Sequence, residues 1–248
     1  MLSIIICSRD QAMFERCTRN IARTIGIPHE IIRINNEQNE RGICAAYNEG
    51  MRAANGDVLL FLHEDVLFIT NDWGTLLAEA FGDQTVIGVG IAGSAILAKD
   101  NAWFRAGQPH LHGHVIHPHD DDYDREVYFA PNEETAEVVV LDGVFIAVRA
   151  AEARALRFDD ARFPKFDFYD IDFTLRLAQR GRLLVIPKIL LKHFSRRDFD
   201  AAYFANTLFL EKHGTLLPYK LHPDLVQSGT ATFYQRLIPR VRFPEEDA

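Results

Sequence analysis

The first ninety residues alternate between two kinds of hydrophobic pattern. Four segments rich in apolar residues predict strands, and the first of them is a continuous β-branched run typical of a strand buried on both faces. They cover residues 2–7, 29–34, 57–62 and 85–92. Three segments between them place apolar residues at helical spacing and cover residues 11–25, 42–56 and 73–81. This alternation predicts right-handed βαβ units and an α/β fold with a Rossmann-like, mainly parallel central sheet flanked by helices.

The pattern changes after residue 92. The segment from about 93 to 135 is rich in glycine, proline, histidine and aspartate, and we expect an irregular, mobile functional loop there. Regular patterns then return. They predict a strand, an Asp142-Gly143 turn and a second strand over 137–149, a helix over 168–181, two short strands over 182–194 and a helix over 200–214.

The third predicted strand ends in three polar residues, His63, Glu64 and Asp65. Burying charge without a partner costs several kcal/mol, so the strand either reaches the surface here or ends in a site. Ligands of open α/β sheets bind beyond the carboxyl ends of the strands. The tripeptide is therefore the first candidate for chemistry, although a solvated strand end without a ligand fits the tripeptide alone.

Charge and cysteine content exclude several classes of protein. The 248 residues include 27 basic and 35 acidic ones, for a formal charge of −8, which argues against non-specific nucleic-acid binding. No apolar run approaches the roughly 18 residues of a membrane span, and no signal peptide is evident. The three cysteines form no paired motif. We therefore expect a cytoplasmic location without a disulfide framework.

A histidine-rich tract at 110–124, "HLHGHVIHPHDDDYD", resembles a metal site in composition. His110, His112 and His114 alternate as side chains on one face of a strand would. We prefer a loop that covers a bound ligand and orders when the ligand binds, and a structural metal site is the alternative.

Five stretches in this order resemble the glycosyltransferase-like branch of the GT-A-fold glycosyltransferases of family 2. They are "LSIIICSRD", "GICAAYNEGMRAANGDVLLFLHED", "LDGVFIAVR", "FDFYDIDFTLRL" and "LKHFS". The resemblance runs from residue 1 to about residue 214. It implies one catalytic domain over 1–215, with a nucleotide-binding half at 1–92 and an acceptor half at 93–215, and a C-terminal extension over 216–248.

The resemblance also implies a divalent metal. An acidic motif, usually Asp-x-Asp, ends the central strand in the family and holds a metal ion on the donor's diphosphate. Asp65 matches the last acid, and His63 stands in place of the first. A His nitrogen suits Mn²⁺ better than Mg²⁺, so the pair favours manganese. His193 matches a late histidine that contacts metal or diphosphate in relatives; a structural histidine is the alternative.

Two further positions match the family's chemistry. Asp170 aligns with a carboxylate that acts as catalytic base, although Tyr169 stands where glutamate is common. Asp170 could instead simply cap its helix, and the two roles are compatible. Asp142 and Gly143 occupy the acceptor-side position, with an ordinary turn as the alternative. Asp172 points away from Asp170 on a helix, and we expect it to pair with Arg176.

The nucleotide is expected at the loops that follow the first two strands. The candidate nucleotide-binding residues are Ser8, Arg9, Asn35, Asn36, Asn48 and Glu64. Relatives often carry aspartate where Asn35 and Asn36 stand, which leaves the identity of the base open. Asn48 could equally be a solvated helix residue.

These matches imply an inverting glycosyltransferase of a kind that, in bacteria, often builds polysaccharide. It would use a nucleotide-sugar donor, UDP-linked or another, and a glycan or other hydroxyl acceptor, with Mn²⁺ or Mg²⁺ as cofactor. Alternatives are a binding protein that lost catalysis and a nucleotidyltransferase; the lack of a glycine-rich loop after the first strand counts against the latter. We expect the basic stretch 234–242 to be a packed or solvated end, and contact with a membrane surface or a partner chain is the alternative.

Overall fold

The computed structural model of the chain describes residues 1–99, 102–129, 134–195, 207–226 and 234–246. The first ninety residues form the predicted alternation of strands and helices. Its elements are β1 (Leu2–Ser8), α1 (Gln11–Thr24), β2 (His29–Asn35), α2 (Ile43–Ala53), β3 (Val58–Leu62), β4 (Val66–Phe68), α3 (Trp73–Ala80) and β5 (Val86–Gly90). Asp10 caps α1, because its carboxylate accepts a hydrogen bond of 2.9 Å from the Met13 backbone N–H.

The remaining elements are shorter and mostly strands. They are β6 (Ala92–Ser94), β7 (Ile96–Leu97), β8 (Leu111–Pro118), β9 (Tyr123–Tyr128), β10 (Ala136–Val138), β11 (Val140–Leu141), β12 (Phe145–Arg149), α4 (Ala150–Leu156), α5 (Tyr169–Ala178), β13 (Arg182–Val185), β14 (Leu191–His193), α6 (Leu208–His213), β15 (Tyr219–Lys220) and β16 (Tyr234–Pro239). The predicted helix over 200–214 is seen only as α6, since 200–206 lie outside the described residues.

Seven of the described strands form the central sheet, in the order β10-β13-β5-β12-β3-β1-β2. β2, β1, β3, β5 and β13 run in one direction, while β12 and β10 run against them. The sheet is therefore mixed, with parallel strands in the majority. Its two faces pack against separate hydrophobic clusters: Tyr47 and Phe61 lie in one, and Trp73 and Phe145 in the other. Burial on both faces explains why β1 and β3 are continuous apolar runs.

A second sheet lies next to the central one. Its order is β11-β6-β8-β14-β4. Outside this order, β9 also pairs with β8, and β16 pairs with β9. β14 pairs antiparallel with β4, which directly follows the His63–Asp65 segment. The second sheet therefore begins at β4, close to the point where β3 of the central sheet ends.

The prediction of an irregular loop over about 93–135 is wrong for the described residues. That segment contains β7, β8 and β9, and β8 and β9 form an antiparallel hairpin. Glycines conceal the strands in the sequence. Gly93 lies so close to β11 that an added Cβ would be 2.2 Å from the Val140 carbonyl oxygen, and Gly113 has φ of +138°.

The C-terminal extension packs on the domain. β16 pairs with β9 over six residues, and β15 pairs with β7. Beyond β16, the buried Glu245 carboxylate accepts hydrogen bonds of 2.8 and 3.1 Å from the Arg23 guanidinium. The part of the basic stretch 234–242 that forms β16 is thus an edge strand, which agrees with the expectation of a packed end.

Candidate active site

Antiparallel pairing of β12 with β3 builds the centre of the site. Phe145 lies opposite Leu62, and the His63 backbone N–H donates a hydrogen bond of 3.2 Å to the Val144 carbonyl. The turn at Asp142 and Gly143, which precedes β12, therefore lies beside His63. Residues 79 positions apart in sequence meet because one strand ends where the other begins.

Pairing of β14 with β4 brings in the last histidine. His193 lies opposite Val66, and the Phe194 backbone N–H donates a hydrogen bond of 2.8 Å to the Asp65 carbonyl. His193 Nε2 is consequently 3.3 Å from Asp65 Oδ1, and His63 Nδ1 is 3.9 Å from the same oxygen. The three predicted metal ligands lie together as one group.

The donor atoms of this group fit a divalent cation. The Nε2 atom of His193 is buried and makes no hydrogen bond of good geometry, despite its closeness to Asp65. Adjacent ligands of one ion with bonds of about 2.1 Å lie roughly 3 Å apart in an octahedral arrangement. The separation of His193 Nε2 from Asp65 Oδ1, 3.3 Å, is near this value, and that of His63 Nδ1, 3.9 Å, is longer. Burial raises the pKa of Asp65, but the neighbouring His193 and His63 outweigh burial and bring it down to about 2. The carboxylate is thus ionised, and one oxygen with two imidazole nitrogens suits Mn²⁺.

Tyr169 sets the tautomer of His63. The Tyr169 hydroxyl donates a hydrogen bond of 3.0 Å to the Gly143 carbonyl, which can only accept. The same hydroxyl lies 2.8 Å from His63 Nε2, so Nε2 carries the proton and donates it to the tyrosine oxygen. In the neutral ring, Nδ1 then keeps its lone pair on the side of Asp65. A ligand histidine held through its other nitrogen is a recurrent arrangement at metal sites.

Gly143 is required by the close approach of α5. A Cβ at this position would be 2.2 Å from the Tyr169 hydroxyl oxygen and 3.1 Å from the Asp170 Cβ. The Gly143 backbone N–H also donates a hydrogen bond of 3.0 Å to Asp170 Oδ2. This glycine therefore joins the turn before β12 to the first turn of α5.

We expect Gly143→Ala to destabilise the protein by about 1–3 kcal/mol, because Tyr169 and Asp170 must shift to admit the methyl group. Urea unfolding followed by circular dichroism measures the change. Gly214→Ala is the matched control, since nothing lies within 4 Å of its Cβ position, and it should unfold within about 0.5 kcal/mol of wild type. Equal stability of the two variants would contradict the close approach.

Asp170 is a largely enclosed carboxylate with a raised pKa. It lies in the first turn of α5, partly exposed to the cavity and otherwise surrounded by protein. Burial, with a further contribution from the nearby Asp142 charge, raises the pKa of Asp170 to about 7. A general base is most effective when its pKa is near the working pH.

One cavity of about 730 Å³ joins these groups. His63, His193, Asp142, Gly143 and Asp170 all line it. The opposite wall comes from the described parts of β8, β9 and β16, and its side chains include His117, which lies with Nδ1 3.2 Å from the His193 carbonyl oxygen. Burial lowers the pKa of His117 to about 4, so this ring is neutral at physiological pH. A volume of this size accommodates an organic ligand.

The family model that matches the sequence is described as "Glycosyltransferase like family" and covers residues 3–202. This match spans more than half of the chain. The chain belongs to the glycosyltransferase-like family.

Solved glycosyltransferases share the fold of this chain. GalNAc-T7, solved with UDP, GalNAc and Mn²⁺, superposes with a TM-score of 0.57 at 14% identity over 88% of this chain and 52% of its own. A mannosyltransferase from Pyrobaculum calidifontis, solved with GDP-Man and Mn²⁺, gives 0.52 at 14% identity over 88% of this chain and 70% of its own. TarS residues 1–349 from S. aureus, solved with UDP-GlcNAc, give 0.52 at 13% identity over 91% and 68%. The search of curated protein sequences found no significant match.

These neighbours have the GT-A fold, so the chain is a member of the glycosyltransferase-like family with the GT-A fold. It spans about half the length of the GalNAc-T7 chain.

Five of the predicted nucleotide-binding residues lie at or just after the carboxyl ends of β1, β2 and β3, and Asn48 lies on α2. None of the six lines the cavity. The Glu64 carboxylate accepts hydrogen bonds from the backbone N–H groups of Arg9, at 2.9 Å, and Asp10, at 3.3 Å. The buried Ser8 hydroxyl accepts one of 3.1 Å from Arg33 Nε. Glu64 therefore holds the loop after β1 in place.

The three asparagines differ in what they leave available to a ligand. Asn35 is exposed at the end of β2, whereas Asn36 is buried and bonds the Arg41 backbone at both ends of its amide. Asn48 is buried on α2, with its amide bonded at 2.9 and 3.0 Å to the carbonyl and N–H of Phe158. The alternative of a solvated helix residue is therefore wrong for Asn48, which joins α2 to the segment before α5.

The histidine tract does not form a metal group among the described residues. His114 Nε2 lies 2.8 Å from a Glu126 oxygen, and His110 Nε2 lies 2.8 Å from the Val226 carbonyl oxygen. The predicted pair of Asp172 with Arg176 is confirmed at 2.7 Å. Sequence reasoning missed His117, Arg125 and Gln235 as cavity residues; the signal available was the two-residue alternation of apolar and polar side chains along β8 and β9.

Proposed function

We propose that this glycosyltransferase moves a sugar from a nucleotide-diphosphate donor to a hydroxyl group of a glycan acceptor, with inversion at the anomeric carbon. One observation supports this most strongly. The two histidines of a group with the donor set of a divalent-metal site line the same cavity as a carboxylate with a pKa of about 7. Transfer needs both a partner for the leaving diphosphate and a base for the incoming hydroxyl.

Asp65, His63 and His193 would hold the metal ion, for which we favour Mn²⁺ over Mg²⁺. A bound divalent ion neutralises the negative charge that develops on a diphosphate leaving group. Tyr169 orients His63 for this role through its hydroxyl. The departures from the family's usual residues at 63 and 169 thus compensate each other, which favours a working site over a degenerate binding protein.

Asp170 would act as the base. Its ionised carboxylate takes the proton of the acceptor hydroxyl while that oxygen forms the new bond to the anomeric carbon. The bond from the anomeric carbon to the diphosphate oxygen breaks on the opposite face, and its electron pair leaves with the diphosphate. The Gly143 N–H holds one carboxylate oxygen in place during this step.

The two halves of the site would divide the substrates. We place the nucleotide at the loops after β1 and β2, where the side chains of Arg9 and Asn35 are exposed, with Ser8, Asn36 and Glu64 shaping those loops. We place the acceptor in the cavity, against Asp142 and Gly143. This matches a division of one catalytic domain into halves at 1–92 and 93–215.

The cellular setting follows only from the family. We infer a role in polysaccharide synthesis in a bacterial cytoplasm. No helix among the described residues has the length and apolar character needed to cross a bilayer.

The proposal is tested by a nucleotide panel. Thermal shift and calorimetry with UDP, GDP, ADP, CDP and TDP, each with and without Mn²⁺, should show one nucleotide that binds in a metal-dependent manner. The matching nucleotide-sugar should then be hydrolysed slowly in the absence of acceptor. Binding without any release of diphosphate would favour the binding protein instead, and binding of none of the nucleotides would contradict the proposal.

A further inference from the structure

We propose that the acceptor carries an anionic group, a carboxylate or a phosphate, and that Arg125 on the cavity wall recognises it. This inference rests on the proposed function and deepens it, since it assigns the chemical class of the acceptor. The wall, the unpaired charge of Arg125 and its position relative to the metal group support it independently.

The cavity wall is one face of the three-stranded antiparallel sheet β8–β9–β16. His117 lies opposite Arg125, and Val127 lies opposite both Val115 and Gln235. Side chains on directly opposed residues of antiparallel strands share a face. All five of these residues line the cavity. The wall thus combines apolar side chains with one charged and two polar groups.

Arg125 is the permanently charged cation among the described residues that line the cavity. Its Nη2 lies 3.2 Å from His119 Nδ1, a neutral partner, and it forms no ion pair with any described residue. The other face of the sheet is different. There Arg236 and His114 both contact the Glu126 carboxylate, so that charge is compensated.

The carboxylates around the cavity make an unpaired cation on its wall significant for the charge of the acceptor. Asp65 and Asp170 are carboxylates that line or adjoin the same space, and they would repel an acidic acceptor. A guanidinium presents a planar fork of N–H donors that matches carboxylate and phosphate groups. Gln235 adds an exposed amide for neutral hydroxyl groups at the same wall.

The position of Arg125 separates it from the donor's side of the site. β9 is two strands from β14, the strand that carries His193, which is about 10 Å at ordinary strand spacing. His117 lies between them, because it pairs with Arg125 and contacts the His193 carbonyl. The candidate nucleotide residues lie at the carboxyl ends of β1, β2 and β3 and on α2, and none of them lines the cavity. Gln235 also comes from beyond the family match, which ends at residue 202.

Three matched saccharides test the inference. Binding of glucose, glucuronic acid and glucose 6-phosphate is measured by NMR titration, with the protein alone and with the nucleotide and Mn²⁺ present. We expect at least one of the two anionic sugars to bind about tenfold or more tightly than glucose, and the one preferred identifies carboxylate or phosphate as the recognised group. Arg125→Gln should remove that preference, and Arg125→Lys should keep part of it.

Arg236→Gln is the control, because it removes the same charge from the opposite face of the sheet. It should keep the preference, and all variants should bind the nucleotide diphosphate as wild type does. Equal binding of all three sugars by wild type would overturn the inference, as would a preference that survives Arg125→Gln. Loss of nucleotide binding in Arg125→Gln with the sugars unaffected would also overturn it and would assign Arg125 to the donor. Because the sugars are also titrated against the protein alone, failure of the nucleotide to bind counts against the proposed function only.

Discussion

Replacing Asp170 with asparagine is expected to lower sugar transfer by about two to four orders of magnitude. The amide retains an oxygen that can accept the Gly143 N–H, but it cannot remove a proton from the acceptor hydroxyl. Steady-state release of nucleoside diphosphate from the donor identified in the nucleotide panel, with acceptor present, measures the change. Affinity for the nucleotide should be unaltered, which separates loss of the base from loss of binding.

The pH profile of the wild-type enzyme should reflect the ionisation of Asp170. Since burial raises the pKa of Asp170 to about 7, transfer should rise with pH and level off above about pH 7. The residual activity of Asp170→Asn should lack this limb. Equal rates in wild type and variant, or a limb that persists in the variant, would remove Asp170 as the base.

The same substitution should change stability in a pH-dependent way. A carboxyl with a raised native pKa binds its proton more tightly in the folded state, so wild-type stability falls as pH rises from about 4 to about 7 and is then constant. Asp170→Asn removes that dependence. The free energy of unfolding of the variant minus that of wild type should be roughly 2 kcal/mol higher at pH 8 than at pH 5. Urea unfolding in the presence of EDTA measures it. A flat difference across this range would contradict the shifted pKa.

Replacing Asp65 with asparagine should abolish metal-dependent nucleotide binding. The carboxylate is the anionic member of the group, and its loss leaves two neutral nitrogens for the metal. Calorimetric titration of Mn²⁺ in the presence of nucleotide should show a loss of about a hundredfold or more in affinity.

Tyr169→Phe removes the hydroxyl that holds His63 and should weaken the binding of Mn²⁺ by about 10–100-fold.

Asp57→Asn is the control for the metal experiments. Asp57 lies before the opposite end of β3, where its exposed carboxylate pairs with the chain's N-terminal amine. The Asp57→Asn substitution removes the same charge as Asp65→Asn and should leave the affinity for Mn²⁺ unchanged. Metal binding that is equal in Asp65→Asn and Asp57→Asn would mean that Asp65 is not a ligand.

The sequence predicts the fold of the first half well, because its strands are buried on both faces and its helices are amphipathic. β1, β2 and β3 lie within a residue or so of their predicted bounds. The hairpin of β8 and β9 is the main failure. Pro118 and four histidines dilute its pattern, and one face of it lines a cavity, so that the apolar alternation is weaker than in a strand packed on a core.

The candidate site is predictable where strand ends determine it. Asp65, Asp142 and Asp170 can be named from their motifs. Asp142 and Asp170 line the cavity, and Asp65 lies beside the cavity residue His193. What the sequence cannot supply is the contact between Tyr169 and His63, which are 106 residues apart. From the sequence alone, tyrosine in place of glutamate looks like the loss of a functional residue. Only the structure shows that Tyr169 is hydrogen-bonded to His63.

The central claim is that Asp65, His63 and His193 hold a divalent cation against the donor's diphosphate. The most direct measurement is an anomalous difference map from a crystal grown with Mn²⁺ and the nucleotide diphosphate selected in the panel. We predict one strong manganese peak within about 2.4 Å of an Asp65 oxygen and His193 Nε2, and in contact with diphosphate oxygens. A diphosphate bound with no manganese at Asp65, or with the metal held by other side chains, would contradict the account.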